Sequence, residues 1–246
     1  MDAVTIAMIA ALMLVAAALY SSVGHGGASA YLAIMALFSV APETMRPTAL
    51  ALNLIAAAFG TWRFWRAGQT DRRILLLFAL PAIPAAFIGG GISVPPEIYR
   101  PLIGVILWFA AGWLLWKPSQ TAERPIRPVS AAVALPVGGL LGLLAGLTGT
   151  GGGIFLSPLL VLFGWADARK TSGIAAGFIL LNSLAGLAGN MASVHALPGE
   201  LPYFAVAVAV GALIGTWLGS VHLPKQRLLQ GLGVVLVVAG AKLIFT

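Results

Sequence analysis

ILLLFALPAIPAAFIGGG, residues 74–91, contains no Asp, Glu, Lys or Arg. An uninterrupted apolar segment of roughly 17–25 residues is what an α-helix needs to cross a bilayer core of about 30 Å. Ala3–Ser21 and Leu102–Trp116 read the same way, as does Leu228–Leu243, whose single charge is Lys242 near its last edge. Of the 246 residues, 60% are hydrophobic and 9% charged, with a mean hydropathy of +0.99. Ordinary soluble domains carry about 25% charged residues, and a water-soluble fold this poor in charge could not cover its own surface. The reading is an all-α polytopic membrane protein.

The composition removes several function classes. There is no cysteine, hence no disulfide frame, thiolate metal site or cysteine nucleophile. The formal charge is +7, but Lys and Arg stand singly between apolar blocks. That distribution fits the positive-inside signal of membrane topology, not a nucleic-acid surface. Met1–Ser21 has Asp2 as its only charge, and the chain stays apolar after it. It is expected to be a retained first span, not a cleaved signal peptide.

Near the midpoint lies the one clearly polar linker, KPSQTAERPIRP at 117–128, where Pro118, Pro125 and Pro128 rule out a continuing helix. It separates two similar halves, 1–116 and 129–246. Gly24-His25-Gly26-Gly27 matches Gly149-Thr150-Gly151-Gly152, and Asn53–Gly60 (NLIAAAFG) matches Asn182–Gly189 (NSLAGLAG). Ala85/Gly89/Ser93 and Arg100–Gly104 match Gly211/Gly215/Gly219 and Arg227–Gly231 in the same order. Each half divides into five apolar segments, at about 3–21, 27–40, 47–65, 74–92 and 99–116, then about 129–147, 153–164, 171–190, 203–221 and 228–245. The second of each five is short and follows a glycine cluster, which in a duplicated chain points to a transporter binding site.

Loop charge sets the expected orientation. Trp62–Arg73 carries Arg63, Arg66, Arg72 and Arg73 against Asp71, and the linker carries Lys117, Arg124 and Arg127 against Glu123. Both should be cytoplasmic. The counterpart of the first loop, Met191–Pro202, has Glu200 and no Lys or Arg. Corresponding loops therefore lie on opposite sides, which predicts inverted repeats of five crossings each, with both termini outside. Re-entrant short segments would instead give four crossings and parallel repeats. Trp62, Trp65, Trp113, Trp116 and Trp165 fall at cytoplasmic segment ends, as an aromatic belt does. Gly138/Gly142/Gly146 and Gly211/Gly215/Gly219, spaced by four, are expected to let helix backbones approach closely.

All seven carboxylates sit in loops or at termini, so the spans hold neither an acid pair for general acid–base work nor a carboxylate relay for protons or sodium. No catalytic residue, metal ligand or cofactor is expected. An intramembrane enzyme or redox module, the rival class, lacks the residues it would need, while an anion channel stays open beside a carrier. What the spans do contain gathers at the two clusters: Ser22, Gly24, His25, Gly26 and Gly27 before the second segment, and Thr148, Gly149, Thr150, Gly151, Gly152 and Gly153 before the seventh. Glycine lets the backbone leave the helix, and the first turn of the next helix offers unpaired N–H groups at its positive dipole end, which suits an anion. Paired helix starts of this kind could hold an anion without Lys or Arg. His25 could contact the anion when protonated or relay a proton. Asn53 and Asn182, buried in helices three and eight, could bridge helices or reach the substrate.

At these clusters the chain resembles the TauE/SafE sulfite-exporter family, also called the 4-toluene sulfonate uptake permease group. Gly149-Thr150-Gly151-Gly152-Gly153-Ile154-Phe155-Leu156-Ser157-Pro158-Leu159-Leu160 is similar to the family's GxGGGxxxxPxL signature. The first copy, GHGGASAYLA, departs from it: Ala28 stands for the third glycine and Ala33 for the proline. The resemblance implies export of sulfite or a related sulfur oxyanion or sulfonate from a bacterial-type inner membrane, with the bilayer and the small anion as partners and no nucleic acid. It leaves the oligomeric state open.

Overall fold

The computed structural model describes residues 2–115, 126–191, 197–220 and 226–245. Among them are ten helices and no strand: α1 (Ala3–Ser21), α2 (Ala28–Leu37), α3 (Pro42–Arg66), α4 (Arg72–Gly91), α5 (Pro96–Leu115), α6 (Ala131–Thr148), α7 (Gly153–Leu162), α8 (Ala168–Gly189), α9 (Leu201–Ser220) and α10 (Gln226–Phe245). Residues 117–125 of the linker, Trp116, His195 and the 221–225 connection lie outside the described residues.

Helix starts are set by local chemistry. Asp2, Asp71 and Asp167 accept from Thr5, Ile74 and Lys170 N–H at 3.3, 3.1 and 2.8 Å. Three of the loop carboxylates are thus N-caps, which satisfy donors that the helix itself cannot. α3 begins at Pro42, earlier than the expected 47, because proline at the first helical position carries no N–H to leave unpaired. Pro47 then sits in the second turn, where it forgoes only one backbone bond.

Among the described residues five helices, α1, α4, α6, α8 and α9, are long and apolar enough to cross a bilayer. Val4, Met8, Leu12 and Val15 of α1 and Leu76, Leu80, Phe87 and Ile88 of α4 are exposed. So much apolar surface on the outside suits lipid contact.

The glycine stripes act where backbones meet. A Cβ on Gly142 would lie 2.5 Å from Ala82 Cα, and one on Gly138 would lie 3.0 Å from Phe78 Cα. α6 therefore lies against α4 with almost no side chain between them, running parallel to it (138 beside 78, 146 beside 86 and 90). α9 lies on α1 in the same way, with Gly211 beside Leu14 and Ala17 and Gly215 beside Ala18. α3 and α8 are antiparallel, Leu50 beside Gly186 and Gly60 beside Ala176. α5 and α10 are antiparallel too, Gly104 beside Gly240 and Ile244, and Trp108 Nε1 donating to Val237 O at 3.1 Å.

Two apolar cores result. One gathers α1, α2, α3, α5, α9 and α10 around Met13, Tyr31, Leu32, Ile103 and Leu107. The other gathers α4, α6, α7 and α8 around Phe78, Leu141, Leu156 and Phe178. Every residue from Ala28 to Ala36 is buried, so α2 is enclosed on all sides. That explains why α2 has no polar face, the Ser29 hydroxyl and the Tyr31 phenol being its only polar side-chain groups.

The short helices have ten residues each. At 1.5 Å per residue such a helix covers about 15 Å, half the bilayer core. α6 and α8 both run parallel to α4: Leu75 lies beside Gly177, and Gly91 beside Gly189. The chain must therefore return from one end of the bundle to the other between α6 and α8. The non-helical stretch 149–152 and α7 make that return together.

Candidate functional site

The two non-helical stretches, 22–27 and 149–152, lead to the same place. A Cβ on Gly26 would stand 3.0 Å from Asn53 Cγ and 3.1 Å from Ile179 Cγ2. One on Gly151 would stand 2.6 Å from Asn53 Nδ2, 2.9 Å from Ser183 Oγ and 3.0 Å from the same Ile179 methyl. Asn53 and Ile179 lie near the middle of α3 and α8, so the chain breaks meet at mid-depth. Gly27 and Gly152, the residues before α2 and α7, have φ of +101° and +77°. An L side chain is strained there, and glycine lets the chain turn sharply into each helix.

Non-helical backbone at membrane depth needs substitute partners. Asn53 supplies two: its Oδ1 accepts from Ala28 N–H at 3.1 Å, and its Nδ2 donates to Thr150 O at 3.3 Å. One buried amide thus ties the start of α2 to the stretch before α7. Tyr31 OH donates to Gly26 O at 2.8 Å, and Tyr99 OH to Thr148 O at 3.0 Å. Tyr20 OH and Ser29 Oγ share a bond of 2.8 Å beside them.

The residues singled out from the sequence do not all come to the centre. Gly26, Gly27, Asn53, Gly151 and Gly153 do. Gly24 packs on Ser172 near the start of α8, and Gly149 on Arg46 near the start of α3, so each stretch is anchored at an opposite end. Gly152 faces Phe178 and Ala145. Ser22 Oγ donates to Leu19 O at 2.7 Å. Thr148 Oγ1 donates to Leu144 O at 2.6 Å and pairs with Thr150 Oγ1 at 2.9 Å. His25 Nδ1 lies 3.2 Å from Val23 O, its ring edge-on to Tyr20, and its Nε2 is buried without a protein partner among the described residues. Asn182 is fully buried, but its Nδ2 turns back to Phe178 O at 2.9 Å within its own helix. The sequence-equivalent asparagines therefore do different things.

Sequence reasoning missed Tyr31, Tyr99, Ser183 and Arg46. A tyrosine inside an apolar segment was a signal, since a buried phenol needs a hydrogen-bond partner. Arg46 was another, a cation at the end where the loops carry few. Its guanidinium donates to Ile92 O and Gly89 O at 2.8 Å and to Gly90 O. These are the last carbonyls of α4, where a cation complements the helix dipole. The charge of Arg46 is thus directed at the end of α4, while its backbone supports Gly149.

Residues 9–243 match the family described as sulfite exporter TauE/SafE. The chain is 37% identical, over the full length of both proteins, to the probable membrane transporter protein y4hK of Sinorhizobium fredii. It is 25% identical to the probable membrane transporter protein YjnA of Bacillus subtilis, over 92% of this chain and 95% of that one. No solved structure matches it. With an all-helical fold, five long apolar spans and a match over nearly its whole length, the chain belongs to the TauE/SafE family and is a multi-pass membrane transporter, not an enzyme.

Proposed function

We propose that the protein exports a small anion, sulfite or a related sulfur oxyanion or organosulfonate, by alternating access around the two glycine-rich breaks. The observation that carries this reading is their convergence on Asn53 and Ile179. It brings the starts of α2 and α7, each the positive end of a helix dipole, toward one point at mid-depth. Of the residues singled out from the sequence, Gly26, Gly27, Asn53, Gly151 and Gly153 then form the substrate-binding set. The name of the matching family favours sulfite.

The repeats, 1–116 and 129–246, are inverted in this reading. The packing supports it: helices equivalent by the sequence matches, α3 with α8 and α5 with α10, lie antiparallel against each other, as a two-fold axis in the membrane plane would place them. The α4–α6 contact has its counterpart in α9–α1. The basic loops and linker 117–128 face the cytoplasm of a bacterial-type inner membrane. Purified protein in proteoliposomes, loaded in turn with sulfite, thiosulfate and methanesulfonate, tests the reading. Saturable efflux of at least one is expected. Flux rising linearly with concentration would indicate a channel, and no flux of any would refute the substrate class.

A further inference from the structure

The two half-helix starts are not alike. At α2, the first N–H is already taken, since Ala28 donates to Asn53 Oδ1 at 3.1 Å. At α7, no side-chain acceptor meets the N–H of Gly153 or Ile154 among the described residues. Beside that open start lies Ser183, fully buried in α8, with an Oγ that has no hydrogen-bond partner in the protein. Its hydroxyl faces the α-carbon of Gly151, two residues before α7. Serine inside a helix ordinarily bonds the carbonyl one turn back. Ser183 does not, and a buried hydroxyl left unpaired is unfavourable by itself.

We infer that the anion is held asymmetrically, at the start of α7, with Ser183 Oγ donating a hydrogen bond to one of its oxygens. At α2 Asn53 Oδ1 already holds the equivalent first N–H, which at α7 is left for the anion. The inference rests on the function proposed above and names Ser183 as a specificity residue of that site. An orphan donor next to free helix N–H groups suits a ligand with two or more oxygens on one centre, as sulfite and sulfonates have. A halide offers no such separate acceptor.

Ser183→Ala and Ser183→Cys, in the full-length protein, separate this role from packing. Ser183→Ala removes a group with no partner, so its unfolding temperature without anion should equal or exceed that of the unmodified protein. KM for sulfite should rise about tenfold or more, the loss of one hydrogen bond to a charged ligand, with the maximal rate within about twofold. Ser183→Cys, with a weaker donor of similar size, should fall between them. An unchanged KM in Ser183→Ala, in a protein that still transports sulfite, overturns the role of Ser183 and leaves the proposed function standing. A lowered maximal rate with unchanged KM also overturns it and marks a packing role. Failure of the unmodified protein to move sulfite, thiosulfate or methanesulfonate overturns both.

Discussion

Gly26→Ala is the most informative substitution for the linkage between the two breaks. Gly26 has an ordinary φ, so an added methyl brings no backbone strain. Its effect comes chiefly through Asn53, whose Cγ would lie 3.0 Å from the new Cβ with Oδ1 nearer still, while Ile179 Cγ2 at 3.1 Å has only to give by a few tenths of an ångström. Restoring normal contact moves the amide by roughly 0.5–1 Å. That carries Oδ1 away from Ala28 N, now at 3.1 Å, and Nδ2 away from Thr150 O, now at 3.3 Å, past the distance at which either is a hydrogen bond. Leaving two buried partners unpaired costs about 1–3 kcal/mol each, so a total of about 2–6 kcal/mol is expected. For a chain of this size that lowers the unfolding temperature by about 4–24 °C. Asn53→Ala should cost a similar amount, since it deletes the same two bonds. The double variant should then be no worse than Asn53→Ala alone, a coupling as large as the whole effect of Gly26→Ala. Tryptophan fluorescence of the four proteins in detergent, followed through thermal unfolding, measures it. Effects that add to within about 0.5 kcal/mol would refute the linkage.

His25→Gln keeps a donor but removes the titration of an imidazole whose ordinary pKa is about 6.5. The variant should still bind the anion, more weakly, and lose most of the pH dependence of transport; an unchanged profile would leave the substrate as the only proton carrier. Gly142→Val should destabilise the protein by several degrees while it still inserts, because its Cβ would meet Ala82 Cα at 2.5 Å, whereas Gly112→Ala, with nothing within 4 Å, should be neutral or slightly stabilising. Melting curves of the two variants, compared side by side, check the contrast. Reporter fusions at each terminus should be active only in the periplasm; a C-terminal reporter active only in the cytoplasm would favour an even number of crossings per half.

How far the sequence reaches can be read from particular residues. Apolar length located ten helices to within about five residues of their ends, because the bilayer fixes how many apolar residues a crossing needs, and the glycines at intervals of four announced that α6 and α9 meet a neighbouring backbone closely, though not that the neighbours are α4 and α1. Glycine clusters before two short segments marked where the chain leaves the helix, since few other residues tolerate φ near +80° to +100°. The partners of those breaks were beyond its reach. Asn53 and Asn182 are equivalent in sequence, yet one bridges both breaks and the other bonds its own helix. Ser183 carries no local pattern, and Tyr99 signals only that its phenol needs a partner; Ser183 meets Gly151, and Tyr99 meets Thr148, only because helices distant in the chain pack side by side. Hydrophobicity and chain flexibility are properties of neighbouring residues and can be read along the chain. Which buried donor meets which acceptor depends on the relative placement of helices, and only the packed structure decides that.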